Sequence, residues 1–273
     1  MLRMKTASGW WLITHPDHAR LAGAFAAAWG NAEFRRPEPR ARVLHGIAAH
    51  DDGWAARDLH PTVTREGKPS AFSTELVGKY SAFEEIDLEE YLAVRDRAVR
   101  IVAESDPYAG LLISMHTCNL LTEHADRSTI AAGDLLKLDA FLEGQRAYQS
   151  RLRAEIAADE SLTAQEKSEQ TILEHFRLLQ ACDNLSLLAC VAFDAPAHLL
   201  HPLPRNGGSA SAVQVTPLAP RKFRLTPWPF AQRKLTFHFP ARRIEGNLFA
   251  SSAELETAYL AAQPQELSVT LTE

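Results

Sequence analysis

Thiols are scarce in this chain. Cys118, Cys182 and Cys190 are its only cysteines, an odd number without Cys-x-x-Cys spacing. That excludes a disulfide framework and a thiolate zinc site, and it fits a reducing cytoplasm. Basic charge is not in excess either. The 29 Lys and Arg are outnumbered by 34 Asp and Glu, interspersed to a net charge of -5, which leaves no broad surface for nucleic acid. No apolar run reaches the roughly 18 residues of a membrane span. The first residues show no charged stretch leading into an apolar segment and a small-residue cleavage site. Glycine-rich phosphate loops and nucleotide fingerprints are missing too. The expectation is a cytoplasmic protein whose partner is a small-molecule substrate, with neither nucleic acid nor membrane involved.

What is present is ample apolar material, 46% of 273 residues, enough for one large domain or a main domain with an appendage. Trp10-Trp11-Leu12-Ile13 reads as a strand or extended lead-in. Thr14-His15-Pro16-Asp17 has the chemistry of a helix start, a capping hydroxyl followed by a first-turn proline and an acid. That helix is expected to run to Gly30-Asn31, with His18 on the same flank as Leu21, Phe25 and Trp29. After Pro37-Glu38-Pro39, winding Val43 to Trp54 at about 100° per residue puts His50 and Asp51 beside Val43, Ile47 and Trp54. A turn-rich segment bearing Asp58, Pro61, Gly67, Pro69 and Ser70 follows. Residues 84 to 104 read as an amphipathic scaffold helix.

Leu111 to Glu123 is apolar nearly all round except for a strip of His116, Asn119 and Glu123, about 60° wide. Such a helix is enclosed by others and turns one polar seam toward a cavity or a buried partner. Residues 130 to 158 continue as a helix, and Leu162 to Phe193 as another, with Asp183 in the middle of its apolar side. From Asp194 onward prolines and Asn206-Gly207-Gly208-Ser209 mark a boundary. Beyond it, Lys234 to Phe239 and Leu267 to Leu271 are strand candidates, with a short helix over 251 to 262 between them. The expected architecture is mainly α. A helical bundle spans residues 1 to 204, and a small C-terminal α+β appendage over 205 to 273 packs on it. The appendage is open to shaping a pocket or mediating a homodimer.

His18, His50, Asp51 and Asp183 therefore project from the apolar side of different parts of a helical bundle, His50 and Asp51 sharing a helix, with His116 on a fifth polar strip. Any one of them alone is well explained as a satisfied core residue. Together they form the kind of converging polar set from which bundle cores build metal sites. An uncompensated buried carboxylate is costly, and a cation offsets that cost.

The order of a histidine, a His-Asp pair and a distant aspartate on a later helix resembles the HD-domain superfamily of metal-dependent phosphohydrolases. Pro-Asp-His at 16 to 18, His-Asp-Asp-Gly-Trp at 50 to 54, Ser-Met-His at 114 to 116 and Cys-Asp-Asn-Leu-Ser-Leu at 182 to 187 are similar to an uncharacterised bacterial branch of it. The resemblance covers roughly residues 10 to 270. It implies an HD-domain-like bundle in which His18, His50, Asp51 and Asp183 ligate a divalent metal. His116 then falls on the substrate or second-metal side. The additional pair of histidines that two-metal members use is lacking, since His124 and His175 point elsewhere.

The activity so implied is hydrolysis of a small phosphate ester or nucleotide. Two His and two Asp suit Mn, Fe, Zn, Co or Mg and leave coordination positions open. Asp51 would act at the metal, and Glu123, Asp58 or His116 would move a proton. The alternative is a non-catalytic metal- or ligand-binding protein on the same scaffold.

Overall fold

The computed structural model describes residues 1–78, 87–123 and 126–273. The chain opens with strands β1 (Leu2–Lys5) and β2 (Gly9–Ile13), then helices α1 (His15–Ala28), α2 (Arg40–Ala48) and the single turn α3 (Ala55–Asp58). Next come α4 (Leu88–Ser105), α5 (Pro107–Thr122), α6 (Ala132–Ala158) and α7 (Glu169–Cys190). The rest is strand-rich: β3 (Ala197–His198), β4 (Leu203–Pro204), β5 (Ala210–Ser211), β6 (Gln214–Ala219), β7 (Lys222–Thr226) and β8 (Lys234–Glu245), then α8 (Ser252–Ala261) and β9 (Pro264–Thr272).

The helix starts follow their sequence signals. Thr14 accepts the Asp17 amide at 3.1 Å ahead of α1, and Gly30 just past its end takes φ +109°. Asp106 accepts the Ala109 amide at 3.1 Å ahead of α5, where Pro107 supplies the fixed first φ. Buried on nearly every side, α5 packs against α2, α4, α6 and α7. The first residues of the expected 84 to 104 helix, 84 to 86, and His124 lie outside the described residues.

The expectation of a mainly α, HD-domain-like bundle with a small strand-bearing appendage is overturned. Seven of the strands form one sheet in the order β1-β2-β8-β9-β7-β6-β3, a major layer that draws on both ends of the chain, while β4 and β5 pair apart from it. β2 pairs antiparallel with β8, Gly9 opposite Glu245 and Leu12 opposite Arg242, while β7 and β9 run parallel. Pairing between residues so distant leaves no local trace, and Pro217 and Pro220 disguise β6 and its turn as loop. Along β8 and β9 the pairs Leu235 with Leu271, Phe237 with Val269 and Phe239 with Leu267 share a face. This face lies against α1, where Phe25 meets Phe237 edge to face at 4.8 Å. The helical layer and the sheet thus share one core, and α1 is held between β8 and α7. Among the described residues no helix is long and apolar enough to cross a membrane.

Candidate metal centre

Four helices and one turn converge at a point behind α1. His18 comes from α1, Arg95 from α4, His116 from α5 and Asp183 from α7, and all four are buried. His50 and Asp51 belong to a turn rather than to the helix expected over Val43 to Trp54. α2 ends at Ala48, and a 3₁₀ turn, Asp52–Trp54, follows. Gly53 is where the chain lets α4 in, since a Cβ there would collide with the Val94 carbonyl and the Ala98 amide. The turn leaves His50 and Asp51 aimed at the same interior as before, now from a fixed loop.

The polar atoms close in tightly. His18 Nε2 lies 2.9 Å from Asp51 Oδ2, His50 Nε2 lies 3.8 Å from the same oxygen, and His50 Nε2 lies 3.3 Å from Asp183 Oδ1. His116 Nε2 is 3.8 Å from Asp183 Oδ2. Two overlapping triads, His18-His50-Asp51 and His50-His116-Asp183, each have their ligand atoms within 4.8 Å of one another.

Where the protons sit decides what these distances mean. The Ile47 carbonyl, 2.7 Å from His50 Nδ1, can only accept, so Nδ1 carries the hydrogen and Nε2 of the neutral ring is a bare lone pair. That Nε2 is buried without a hydrogen-bond partner, because Asp183 at 3.3 Å is not aligned with it. His18 is wired the same way. Ser186 Oγ donates to the Asp183 carbonyl at 2.8 Å, so it accepts from His18 Nδ1, also at 2.8 Å. His18 Nε2 in turn lies at hydrogen-bond distance, 2.9 Å, from Asp51 Oδ2, a contact that a cation between them would take over. Two imidazoles, each held from behind at Nδ1 and each turning Nε2 toward anionic oxygen, are arranged as metal-ligating histidines are.

Charge leads to the same conclusion. Arg95 Nη1 donates to Asp51 Oδ1 at 2.6 Å while Nε donates to the Tyr91 hydroxyl at 3.1 Å. Burial alone raises the pKa of Asp51, but Arg95 first and His50 next hold it well below the usual carboxylate range. Asp183 is likewise raised by burial and brought down to about 2 by His50. Two carboxylates with one guanidinium leave a buried negative charge that needs a proton or a cation. A proton goes to His50, whose pKa burial lowers and the two aspartates raise to about 9. A cation at the same lone pairs meets the same need. His116 stays neutral, since burial outweighs Asp183 and lowers it to about 3, and its Nδ1 is buried without a partner. The cluster fits a divalent cation bound by nitrogen and oxygen donors.

The other expected site residues lie elsewhere. Glu123 caps the C-terminal end of α5, exposed and two turns beyond His116. Asp58 is buried but engaged in a neighbouring cluster. It accepts the His15 amide at 2.5 Å and the Met1 amine at 3.0 Å, with His15 Nδ1 at 3.1 Å. Arg95 and Tyr91 lie outside the residues the sequence assigns to the site, and Ser186 enters it only as part of the 182 to 187 motif. Arg95 had a signal, a cation one turn from Tyr91 and from Val99 within the apolar stripe of its helix, and Ser186 sits one turn after Asp183.

Residues 1–246 match the model of a family described as Protein of unknown function (DUF3891). No curated protein and no solved structure matches the chain.

Proposed function

The chain belongs to the DUF3891 family, and we propose that it is a metal-dependent phosphohydrolase acting on a small phosphate ester or nucleotide, with His18, His50, Asp51 and Asp183 as ligands. The observation that carries the reading is His50, whose Nδ1 is committed to Ile47 and whose Nε2 is buried, unpartnered and turned toward two carboxylates. The order of ligands along the chain, similar to the HD-domain superfamily, supports the reaction class. His18, His50, Asp51 and Asp183 would hold a divalent cation, which would supply polarisation of a phosphoryl oxygen and a lowered pKa for a bound water.

Asp51 is shared between Arg95, which fixes one carboxylate oxygen, and the centre, which takes the other. Ser186 and Ile47 hold the two rings in the tautomer that ligation needs. His116, neutral with one nitrogen unpartnered, is placed to hydrogen-bond a substrate oxygen or pass a proton.

A second reading, a non-catalytic metal-binding protein, is favoured by the closure of the centre. His18 and His50 are each 1% exposed and Asp183 is 7% exposed. Elemental analysis of the purified protein, followed by a screen of phosphomonoesters, nucleotides and phosphodiesters with added Mn²⁺, separates the two. Turnover abolished by Asp51→Ala in a folded protein supports the hydrolase. Stoichiometric metal with no turnover on any phosphate supports the binding protein, and absence of metal under every loading condition removes both.

A further inference from the structure

A second polar site lies apart from the buried centre, where β1 meets the 3₁₀ turn Thr74–Leu76. A cavity of about 210 Å³ opens there, and none of its lining side chains belongs to the metal centre. Arg3, Lys5, Lys68, Ser73, Glu75 and Trp10 give it its chemistry. We propose that this cavity binds a small anion, a carboxylate or phosphate group on a compact solute, in a place that the chain's own Glu75 carboxylate also fits.

Arg3 is the reason. Its guanidinium is only 7% exposed, and burying such a charge is costly unless an anion is held against it. Nη1 donates to the Pro69 carbonyl, which is neutral, and Nε is buried without a partner. Among the described residues the one carboxylate within ion-pair distance is Glu75, 3.3 Å from Nη2 on a side chain that is 69% exposed. Ser73 Oγ reaches the same oxygen at 3.4 Å. A buried guanidinium thus relies on a solvent-exposed counterion, the weakest kind of ion pairing.

The surroundings add positive charge. Lys5 is exposed and has no ion pair among the described residues, and Lys68 is paired only with the exposed Glu66 at 2.8 Å. Three cations thus line the cavity against one carboxylate. Trp10 flanks the guanidinium at 5.4 Å with its indole N–H committed to the Asn247 carbonyl, so it presents an apolar face. The cavity is smaller than the roughly 300–1,000 Å³ of pockets for drug-sized ligands, which selects a compact solute. A guanidinium fork with an adjacent hydroxyl and ammonium groups is the donor set that carboxylate and phosphate recognition uses.

The test is calorimetric titration of the full chain, stripped with a chelator so that the metal centre contributes nothing. Inorganic phosphate and succinate are titrated separately at fixed ionic strength, with chloride as the control. One saturable site per chain is expected for at least one of the two, and whichever binds more tightly assigns the anion class. Glu75→Gln should tighten that binding about twofold to fivefold by removing the internal competitor, and Lys5→Ala should weaken it by a similar factor. Both positions are exposed, and an unchanged Tm confirms that the variants fold. No saturation above the chloride background overturns the proposal. So does an affinity that Glu75→Gln leaves unchanged.

Discussion

Two clusters of buried histidine and aspartate lie side by side along α1, their nearest rings, His15 and His18, 6.2 Å apart. Around Asp58 the protons suffice. The Met1 amine, whose pKa burial lowers, and a backbone amide both donate to one carboxylate. Burial raises Asp58, and His15 with the Met1 amine pulls it far below the usual range, so this cluster is complete as it stands. Around Asp183 the balance is open. His18 Nδ1 and His50 Nδ1 are engaged with Ser186 and Ile47, and both Nε2 atoms face carboxylates, where either protons or a cation meets the charge. His15 is the more open ring, 16% exposed against 1% for His18, but the distances are similar in the two places. What separates a structural ion cluster from a candidate metal centre here is the hydrogen-bond partner on the far nitrogen of each ring.

The sharpest way to break this contrast is to remove a ligand. Asp51→Ala should reduce bound metal to below about one-tenth of stoichiometric by elemental analysis. It should also destabilise the metal-free protein by about 3–5 kcal/mol in urea, because Arg95 is left buried without its partner. Asp58→Asn is the counterpart. It should cost about 3 kcal/mol in the same titration, since it strands the amine, yet leave metal content unchanged. Metal lost from Asp58→Asn would merge the two clusters into one.

A buried histidine outside the two clusters calibrates both. His175 pairs with the Tyr108 hydroxyl at 2.8 Å, and burial, with a smaller contribution from Arg35, lowers its pKa from 6.5 to about 4. Its unfolded form therefore binds a proton first. The contribution of His175 to stability should be flat above pH 6.5, fall as pH drops toward about 4 and lose up to about 3 kcal/mol there. His175→Gln should remove that part of the slope in pH-dependent denaturation, with metal content unaffected.

Ser186→Ala tests the wiring itself. With the lock behind His18 gone, metal affinity should fall about 10- to 100-fold in a competition titration while the fold survives. Glu123→Gln sets the floor. An exposed residue two turns from His116 should change stability by less than about 0.5 kcal/mol and leave metal binding as it was.

The helical layer is readable along the chain because its signals are local. Thr14 with Pro16 starts α1, Asp106 with Pro107 starts α5, and the apolar wrap of 111 to 121 announces an enclosed helix. The convergence of His18, His50, Asp51 and Asp183 is readable for the same reason, since each breaks an apolar stripe. Three things are not. The His50-Asp51 segment is a turn because Gly53 yields to the backbone of α4, a contact no periodicity encodes. The sheet is a full layer because residues 9–12 pair with 242–245. The protons that distinguish Asp183 from Asp58 depend on which carbonyl or hydroxyl stands behind each ring, and that is settled only once the chain is folded.

That pairing of β2 with β8 also sets a timetable. On a ribosome adding about 5–20 residues per second, β2 waits through roughly 230 residues of synthesis, on the order of ten to fifty seconds, before its neighbour exists. Until then Trp10 and Leu12 belong to an unpaired edge, the kind of segment that sticks to other nascent chains. α1 leaves that edge within two residues and packs on β8, so His18 takes up its station among the last. The centre is thus completed only after β8 has been made, and holdase chaperones that shelter the emerging first strands should raise the yield of metal-competent protein.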